Sequence, residues 1–348
     1  FYNTDDTAMM NYIGLDAHSK TCSLVCLDES DKIIRKAHLE TTESQLLSFL
    51  RSVAGPKKLV LEESGLSQWL FMLLKDQVDE LVVCNPLYLS RNPKAKTDFN
   101  DALHLARELK CGHVVSVHHE DSDLMRMRSL ISGYQDTVNA MTRAKNQFKA
   151  ILRKEAINIK TTTVYFDQDI FEKLSNPSDR FVAKGLQDII VILDALNLRY
   201  QAEFIKNGKQ NEVLKLLMSI PGIAHVRAHV IASAICSAER FPNKYKLWSY
   251  AMLVRHQDQS GGVVLSNRKK YARSDLKGVF MAAALTVIQG ESGLKKYYEH
   301  LRLKGLEEKK ARKAVARKIA ALCLSVMKSG RKYCDETITK SFALKDAL

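Results

Sequence analysis

Residues 12–16 decide the fold of the first part of the chain, reading Tyr-Ile-Gly-Leu-Asp, an apolar segment that ends in an acid. Residues 23–27 and 33–39 follow as further apolar segments, separated by the polar turn at residues 28–31. Short apolar runs bounded by turn residues are typical of β-strands. The chain is therefore predicted to open with three consecutive strands, the first of which ends at Asp16.

Helices then alternate with strands. Thr42 is predicted to cap a helix that extends to about Ser52, because a threonine side chain can accept a hydrogen bond from a free N–H group at a helix start. The next strand, helix, strand and helix are predicted at residues 58–62, 68–77, 81–84 and 97–110, and Thr97 is predicted to cap the last of these helices. Three strands followed by this alternation is the order of the ribonuclease H-like fold, whereas a doubly wound sheet alternates from its start. We predict a RuvC-like (ribonuclease H-like) α/β domain over residues 10–119.

The middle of the chain has the three- and four-residue apolar spacing of coiled-coil helices. A first run begins at Leu124 and ends at Leu152, and a second extends from Val182 to Tyr200 and stops at Asn207-Gly208. We predict a coiled-coil helical region over residues 120–210. Its two helices could pack as an antiparallel pair or mediate oligomerisation, and the sequence does not decide between these. A homo-dimer or homo-tetramer is expected.

The third segment, residues 211–348, is predicted to be a mostly helical domain. It contains Ser219-Ile220-Pro221-Gly222-Ile223, followed by an alanine-rich helix at residues 224–238. This turn resembles a helix-hairpin-helix element, in which N–H groups around Gly222 can receive a DNA phosphate. A tight structural turn before a buried helix explains the same five residues equally well.

Charge is concentrated near the C-terminus. The net charge is +14, yet residues 1–110 hold 13 Lys/Arg against 16 Asp/Glu, while residues 266–348 hold 20 against 8. A concentrated basic surface indicates a polyanionic partner, most often nucleic acid, and the alternative is a solvated helical face. The sequence has no lipidation motif or amphipathic anchor that would favour a membrane surface.

The seven cysteines are scattered and form no Cys-x-x-Cys pair or Cys/His cluster, so a zinc site is not expected. Their pattern favours a protein of the reducing cytoplasm. No apolar run approaches the ~20 residues of a membrane-spanning helix, and the N-terminus lacks a signal-peptide layout. Met9 and Met10 directly precede the first strand. Residues 1–8 are therefore expected to be an addition ahead of a native start at Met9 or Met10.

Four acids stand at matching points of the predicted topology. Asp16 ends the first strand and Glu62 ends the fourth, and these strands are neighbours in a ribonuclease H-like sheet. Asp98 and Asp101 lie three residues apart in the first turn of a helix, on one face. Oxygen-only ligands suit Mg²⁺ or Mn²⁺, the ions that assist phosphoryl transfer.

Each acid alone has a simpler explanation, as a strand end, a surface acid or a partner of the helix dipole. Taken together they favour a metal site. Glu62 and Glu63 are adjacent, and strand alternation lets only one of them point into such a site. We choose Glu62.

Four segments now carry a family resemblance. The chain resembles the DEDD-type insertion-sequence transposases, a family that includes the Piv DNA invertases and the bridge-RNA-guided recombinases, from about residue 10 to residue 335. Lys-Thr-Asp-Phe-Asn-Asp-Ala at residues 96–102 is the most specific match. The others are residues 12–16, Leu-Glu-Glu-Ser-Gly at residues 61–65, and residues 219–223.

The resemblance implies a serine nucleophile in the C-terminal domain. Ser260 falls in the matching position, ahead of Gly261-Gly262. Ala251-Met252 and Arg255 occupy the positions where the family usually has glycine and proline. This part of the chain therefore departs from the family pattern. Tyr250 is the alternative hydroxyl. The basic residues that would then hold DNA or RNA phosphates are Arg268, Lys269, Lys270 and Arg273.

The favoured hypothesis is a DNA recombinase of bacterial or archaeal cells, acting in transposition or site-specific inversion, in which metal ions on the four acids activate Ser260. DNA is the expected partner, and the resemblance adds a structured noncoding guide RNA. The main alternative is a RuvC-like metal-dependent nuclease that resolves Holliday junctions with water as the nucleophile. A sugar-kinase or actin-like ATPase is disfavoured, because residues 17–20 lack a phosphate-gripping turn. A non-catalytic nucleic-acid-binding protein is the third alternative.

Overall fold

The computed structural model describes residues 9–90, 95–158, 162–167, 169–254, 258–260, 263–266 and 273–335. The chain divides into two compact units, Phe1–Asp121 and Ser122–Leu348. Residues 1–8, expected to be an addition, lie outside the described residues. Among the helices that are described, none is both long and apolar enough to cross a membrane.

The first unit is a mixed sheet with three α-helices, in the predicted order. Its strands are β1 (Asn11–Ala17), β2 (Thr21–Leu27), β3 (Ile33–Glu40), β4 (Lys57–Glu62) and β5 (Glu80–Cys84). Its helices are α1 (Glu43–Arg51), α2 (Ser67–Leu74) and α3 (Asp98–Lys110), and a short 3-10 helix spans Pro86–Tyr88. The sheet order is β3-β2-β1-β4-β5. The first three strands pair antiparallel, and β1, β4 and β5 are parallel.

Of the two threonines predicted to cap helices in this unit, one makes the capping hydrogen bond and the other does not. Thr97 caps α3 as predicted, its side chain accepting a hydrogen bond from the backbone N–H of Asn100 at 3.2 Å. Thr42 occupies the cap position of α1, but its side chain makes no capping hydrogen bond. The neighbouring Gln45 side chain instead accepts a hydrogen bond from the backbone N–H of Glu40.

The two faces of the sheet are covered differently. On one face, Ile13 and Leu15 join Leu59 and Leu61 in a fully buried cluster with the apolar side chains of α1 and α2. On the other face, α3 packs across β1, β2 and β4. Because successive side chains of a strand point to opposite faces, Gly14 and Asp16 lie on the α3 face.

Gly14 lets α3 approach the sheet closely. A methyl group at this position would lie 2.0 Å from the carbonyl oxygen of Ala102 and 2.6 Å from the backbone nitrogen of Ala106. Ala102 and Ala106 are themselves fully buried, so three small residues form this contact. The helix backbone therefore rests directly on β1, and the first turn of α3 is held next to the end of that strand.

We expect Gly14→Ala to lower the free energy of unfolding by about 2 kcal/mol or more, because overpacking against rigid backbone cannot be relieved by a rotamer change. Urea unfolding measures this loss. Gly65→Ala is the matched control, since a methyl group at Gly65 would meet no atom within 4 Å. Equal stabilities of the two variants would show that α3 does not depend on this contact.

The described residues of the second unit form helices and one antiparallel pair of short strands. Its helices are α4 (Asp123–Lys154), α5 (Pro177–Gln210), α6 (Glu212–Met218), α7 (His225–Ile235), α8 (Lys244–Tyr250), α9 (Ser274–Gln289), α10 (Gly293–Leu303) and α11 (Glu308–Ser329). Short 3-10 helices span Thr162–Phe166, Asp169–Phe171 and Ala238–Arg240. Strands β6 (Asp258–Ser260) and β7 (Val263–Ser266) pair antiparallel.

The two long helices predicted in the middle of the chain are α4 and α5, and they run antiparallel. Lys154, at the end of α4, forms an ion pair with Asp179, at the start of α5. Tyr134, in the first half of α4, packs edge-on against Phe204, near the end of α5. Both helices also pack against α7. Their supercoiling stays a prediction, as does the division at residues 119/120 and 210/211.

Candidate functional site

Asp16 and Glu62 lie side by side at one edge of the sheet. Strands β1 and β4 are parallel, and Leu15 pairs with Leu61 immediately before the two acids. Leu15 and Leu61 are buried against α1 and α2, so alternation directs Asp16 and Glu62 to the opposite face. Both acids are therefore placed beneath the start of α3.

Helix α3 brings the other two acids to the same place. Asp98 and Asp101 occupy its first turn, and the close contact of Ala102 with Gly14 holds that turn near the end of β1. A carboxylate oxygen of Asp16, one of Asp98 and a ring nitrogen of His18 lie within 4.8 Å of one another. These three atoms form a group that could hold a metal ion. Glu62 and Asp101 lie close enough for their carboxylate charges to interact with that of Asp16.

Burial and neighbouring carboxylates raise the pKa of two of the acids, Asp16 and Glu62. Burial raises the pKa of Asp16 and the carboxylates of Asp98 and Asp101 raise it further, while His18, 3.5 Å away, partly offsets this. Burial also raises the pKa of Glu62, and so do the carboxylates of Asp16 and Asp101. The acids thus form one coupled cluster of negative charge. We name Asp16, Glu62, Asp98 and Asp101 the acid cluster.

Glu63 is engaged elsewhere. Its carboxylate accepts a hydrogen bond from Nε2 of His119 at 2.6 Å, and the other ring nitrogen of His119 lies 2.7 Å from the side-chain oxygen of Gln68. The His119 side chain is only 3% exposed. This pairing supports Glu62 as the member of the acid cluster, and the assignment stays a prediction.

Sequence reasoning missed His18 and His119. His18 follows Asp16 by two residues, and its position just after a strand that ends in an acid was a signal that could have been used. His119 is 56 residues from Glu63. No sequence pattern links this pair, because only the folded chain brings them together.

The residues predicted in the C-terminal part are placed less completely. The backbone of Ser260 ends β6 and pairs with Val263, while its side chain lies outside the described part of the structure. Arg268, Lys269 and Lys270 also lie outside the described residues. The Tyr250 ring packs against Phe241, with the ring centroids 5.3 Å apart.

Arg273 and Gly222 have structural contacts of their own. The guanidinium of Arg273 makes a two-point ion pair with the carboxylate of Asp275, at 3.0 and 2.7 Å. Gly222 has a φ of +81°, and a methyl group there would lie 2.7 Å from the carbonyl oxygen of Ala283. The glycine is thus needed for the turn and for its packing against α9, and a role in phosphate binding stays a prediction.

The basic charge of the last helices is partly paired. Arg317 points inward and donates to the carbonyl oxygen of Leu253 at 2.9 Å. Three other basic residues pair with glutamates one turn away: Lys295 with Glu291, Lys310 with Glu307, and Arg312 with Glu308. Exposed pairs of this kind contribute little to stability. The excess of basic over acidic residues in residues 266–348 remains, and a polyanion-binding surface there stays a prediction.

Two family models match the chain. A model of DEDD-type IS110 transposases, described as Transposase, matches residues 13–156, and the model described as Transposase IS116/IS110/IS902 family matches residues 214–299. Together the two matches cover about two thirds of the chain. The chain belongs to the IS110 transposase family. The first match contains the whole acid cluster, and the second contains Ser260.

One curated relative is similar over much of the chain. "Putative transposase y4qE" of Sinorhizobium fredii is 23% identical over 241 residues, which is 68% of this chain and 57% of the relative. The chain thus spans just over half the length of that relative. Membership of the DEDD family implies a RuvC-like fold for the first unit, in agreement with its mixed sheet, and implies dependence on a divalent metal ion.

We expect Mn²⁺ to raise the melting temperature of the wild type and Glu62→Gln to abolish this rise, because ligand binding to the native state stabilises it and this variant lacks one predicted ligand. Glu63→Gln should keep the rise, since its amide oxygen can still accept the hydrogen bond of His119. Differential scanning fluorimetry over a Mn²⁺ titration measures both. The opposite pattern would assign the ligand to Glu63.

We expect Asp16→Asn to make the metal-free protein as stable as the wild type or more stable at pH 7. The pKa of Asp16 is raised in the folded state, so its ionised form costs stability above that pKa, and the cost disappears as the pH falls below the ordinary value of 3.8. The difference between variant and wild type should therefore shrink on acidification.

Thermal unfolding in EDTA at several pH values measures this difference. Asp76→Asn, which removes an exposed acid in the turn after α2, is the control and should show no such trend. A metal-free Asp16→Asn protein that is clearly less stable than the wild type at pH 7 would contradict the repulsion within the acid cluster.

Proposed function

We propose that this chain is a DNA recombinase that cleaves and rejoins DNA strands in transposition or site-specific inversion. The observation that carries the proposal is the acid cluster, in which two parallel strands and one helix start bring four carboxylates to one sheet edge. A fold gains no stability from such repulsion, so a function that uses the charge explains it best. Family membership supports DNA as the substrate.

The acid cluster fits a divalent metal ion. Its donors are carboxylate oxygens, which suit Mg²⁺ and Mn²⁺. Burial, together with the neighbouring carboxylates, raises the pKa of Asp16 and of Glu62, and a bound cation would offset this cost of ionisation. Asp16, Glu62, Asp98 and Asp101 would hold the ions. When bound, Mg²⁺ or Mn²⁺ supplies charge neutralisation at the phosphate and lowers the cost of deprotonating an attacking oxygen.

Ser260 is the proposed nucleophile. Its oxygen forms a bond to phosphorus while the bond from phosphorus to the leaving sugar oxygen breaks, and the serine proton passes, in net terms, to that leaving oxygen. The resulting phosphoserine keeps the energy of the broken DNA bond, and the reverse attack by a sugar hydroxyl rejoins a strand. A position at the end of β6, the strand that pairs antiparallel with β7, supports this role.

The basic C-terminal part is proposed to hold nucleic-acid phosphates through Arg268, Lys269, Lys270 and Arg273, with backbone N–H groups near Gly222. The family resemblance extends the proposal to a structured noncoding guide RNA on this basic surface. Sequencing the nucleic acid that copurifies with the protein tests the RNA. A discrete RNA species supports guidance, and random cellular RNA contradicts it.

A homo-oligomer is the proposed assembly, as a dimer or tetramer. Support comes from α5, where several large apolar side chains are exposed although the helix is packed against α4. The most exposed of them are Phe181, Ile192 and Leu198. Large exposed apolar side chains on one element are common at protein–protein interfaces.

We expect the wild type, incubated with cognate DNA and Mg²⁺, to form a protein–DNA adduct that survives denaturation in SDS. Ser260→Ala should form none, because the covalent bond is made by its hydroxyl oxygen. Tyr250→Phe, which removes the alternative hydroxyl, should still form the adduct. Gel electrophoresis of labelled DNA measures all three.

Two results would contradict the serine mechanism. An adduct retained by Ser260→Ala would move the nucleophile to another residue. Strand cleavage by the wild type without any adduct would instead favour the alternative function, a RuvC-like nuclease that uses water and leaves Ser260 idle.

A further inference from the structure

Strand β3 leaves part of the sheet uncovered beside the acid cluster. It is the edge strand of the sheet, and α3 packs across β1, β2 and β4 but leaves Lys36 and His38 of β3 exposed. These side chains lie on the α3 face, because both contact the Phe99 ring of α3. Arg35 is next to Lys36 in β3 but lies on the opposite face of the sheet, where it contacts Phe49 of α1.

The uncovered part is in register with the acids. Asp16 pairs with Ser23 of β2, and Ser23 pairs with His38 of β3. The Ser23 side chain is fully buried, and its oxygen lies 2.9 Å from Nδ1 of His38. Since neighbouring strands are about 4.8 Å apart, His38 stands about 10 Å from Asp16 along one row. A short stretch of an extended nucleic-acid strand spans that distance.

Phe99 lies between the acid cluster and the uncovered part of the sheet. It lies in sequence between Asp98 and Asp101, and it is 38% exposed although it is a large apolar residue. The Lys36 ammonium lies 5.5 Å from the centre of its ring, and the His38 ring lies 6.2 Å from it. Within the described part of the chain, Lys36 has no ion pair with a carboxylate. Its charge is therefore available beside a partly exposed aromatic ring.

We propose that Lys36, His38 and Phe99 form a strand-binding surface that leads an unpaired DNA strand into the acid cluster. A partly exposed aromatic ring beside an unpaired lysine is an arrangement by which proteins hold single strands, with a base stacked on the ring and a phosphate at the ammonium group, and the imidazole of His38 can donate a further hydrogen bond. A duplex hides the faces of its bases, so stacking on Phe99 requires an unpaired base. The proposal rests on the proposed function and specifies how the substrate strand approaches.

The salt dependence of DNA binding tests the role of Lys36. Each phosphate contact on a single strand contributes about 0.7 to the slope of log K against log salt. Lys36→Gln should therefore reduce the magnitude of this slope by about 0.7. The slope is measured in the presence of Ca²⁺ from the fluorescence anisotropy of a labelled oligothymidylate. Arg35→Gln is the matched control, because it removes the same charge from the next residue of β3 on the other face, and its slope should equal that of the wild type.

Photocrosslinking tests Phe99. An oligothymidylate carrying 5-iododeoxyuridine should crosslink to the tryptic peptide of residues 97–107, identified by mass spectrometry. Phe99→Leu keeps an apolar side chain at the helix start and should lose this crosslink. The Mn²⁺-induced rise in melting temperature of Lys36→Gln and Phe99→Leu should match that of the wild type, which shows that both variants are folded and keep the acid cluster.

The outcomes separate this inference from the proposed function. An unchanged slope in Lys36→Gln, or crosslinks that avoid residues 97–107, would overturn the strand-binding surface while the wild type still binds DNA and forms its adduct. A wild type that binds no DNA would overturn the proposed function and this surface together.

Discussion

The contact between the backbone of α3 and Gly14 of β1 is the constraint on which the candidate site depends. A helix normally packs on a sheet through side chains, which keep the two backbones apart. Here Gly14, Ala102 and Ala106 remove those side chains, and the helix backbone lies against the strand. Only then can the first turn of α3 reach the carboxylate of Asp16, near the end of β1. The same short segments thus carry both the small residues and the acids.

The acid cluster lowers the stability of the fold. Bringing four carboxylates together at a partly buried sheet edge costs electrostatic energy, and the raised pKa values of Asp16 and Glu62 are the signature of that cost. The buried cluster on the other face of the sheet supplies the stability that tolerates it, with Leu15 and Leu61 directly behind the acids. A divalent cation would turn the repulsion into binding energy, which links metal affinity to stability of the first unit.

Much of this arrangement was predictable from sequence because it depends on local pattern. Strand alternation and the order of elements placed Asp16 and Glu62 on adjacent strands, and the Thr97 cap placed Asp98 and Asp101 in one helical turn. Contacts between distant segments were not predictable. Examples are the pairing of Glu63 with His119 and the close approach allowed by Gly14.

Some charged residues have partners that the sequence pattern did not indicate. Arg273 was expected to hold a phosphate, yet Asp275, two residues away, engages its guanidinium at two points. Arg317 belongs to a basic run but faces inward, where a backbone carbonyl accepts its hydrogen bond. Charge counts describe the field of a surface, whereas the availability of a single guanidinium depends on neighbours that only the fold reveals.

The central claim is that Asp16, Glu62, Asp98 and Asp101 bind divalent metal as one site. Anomalous diffraction from crystals soaked in Mn²⁺ tests it most directly. We predict an anomalous peak among these four carboxylates, lost when crystals of Asp98→Asn are soaked in the same way. A well-ordered acid cluster without a peak, or a peak of equal height in Asp98→Asn, would contradict the account.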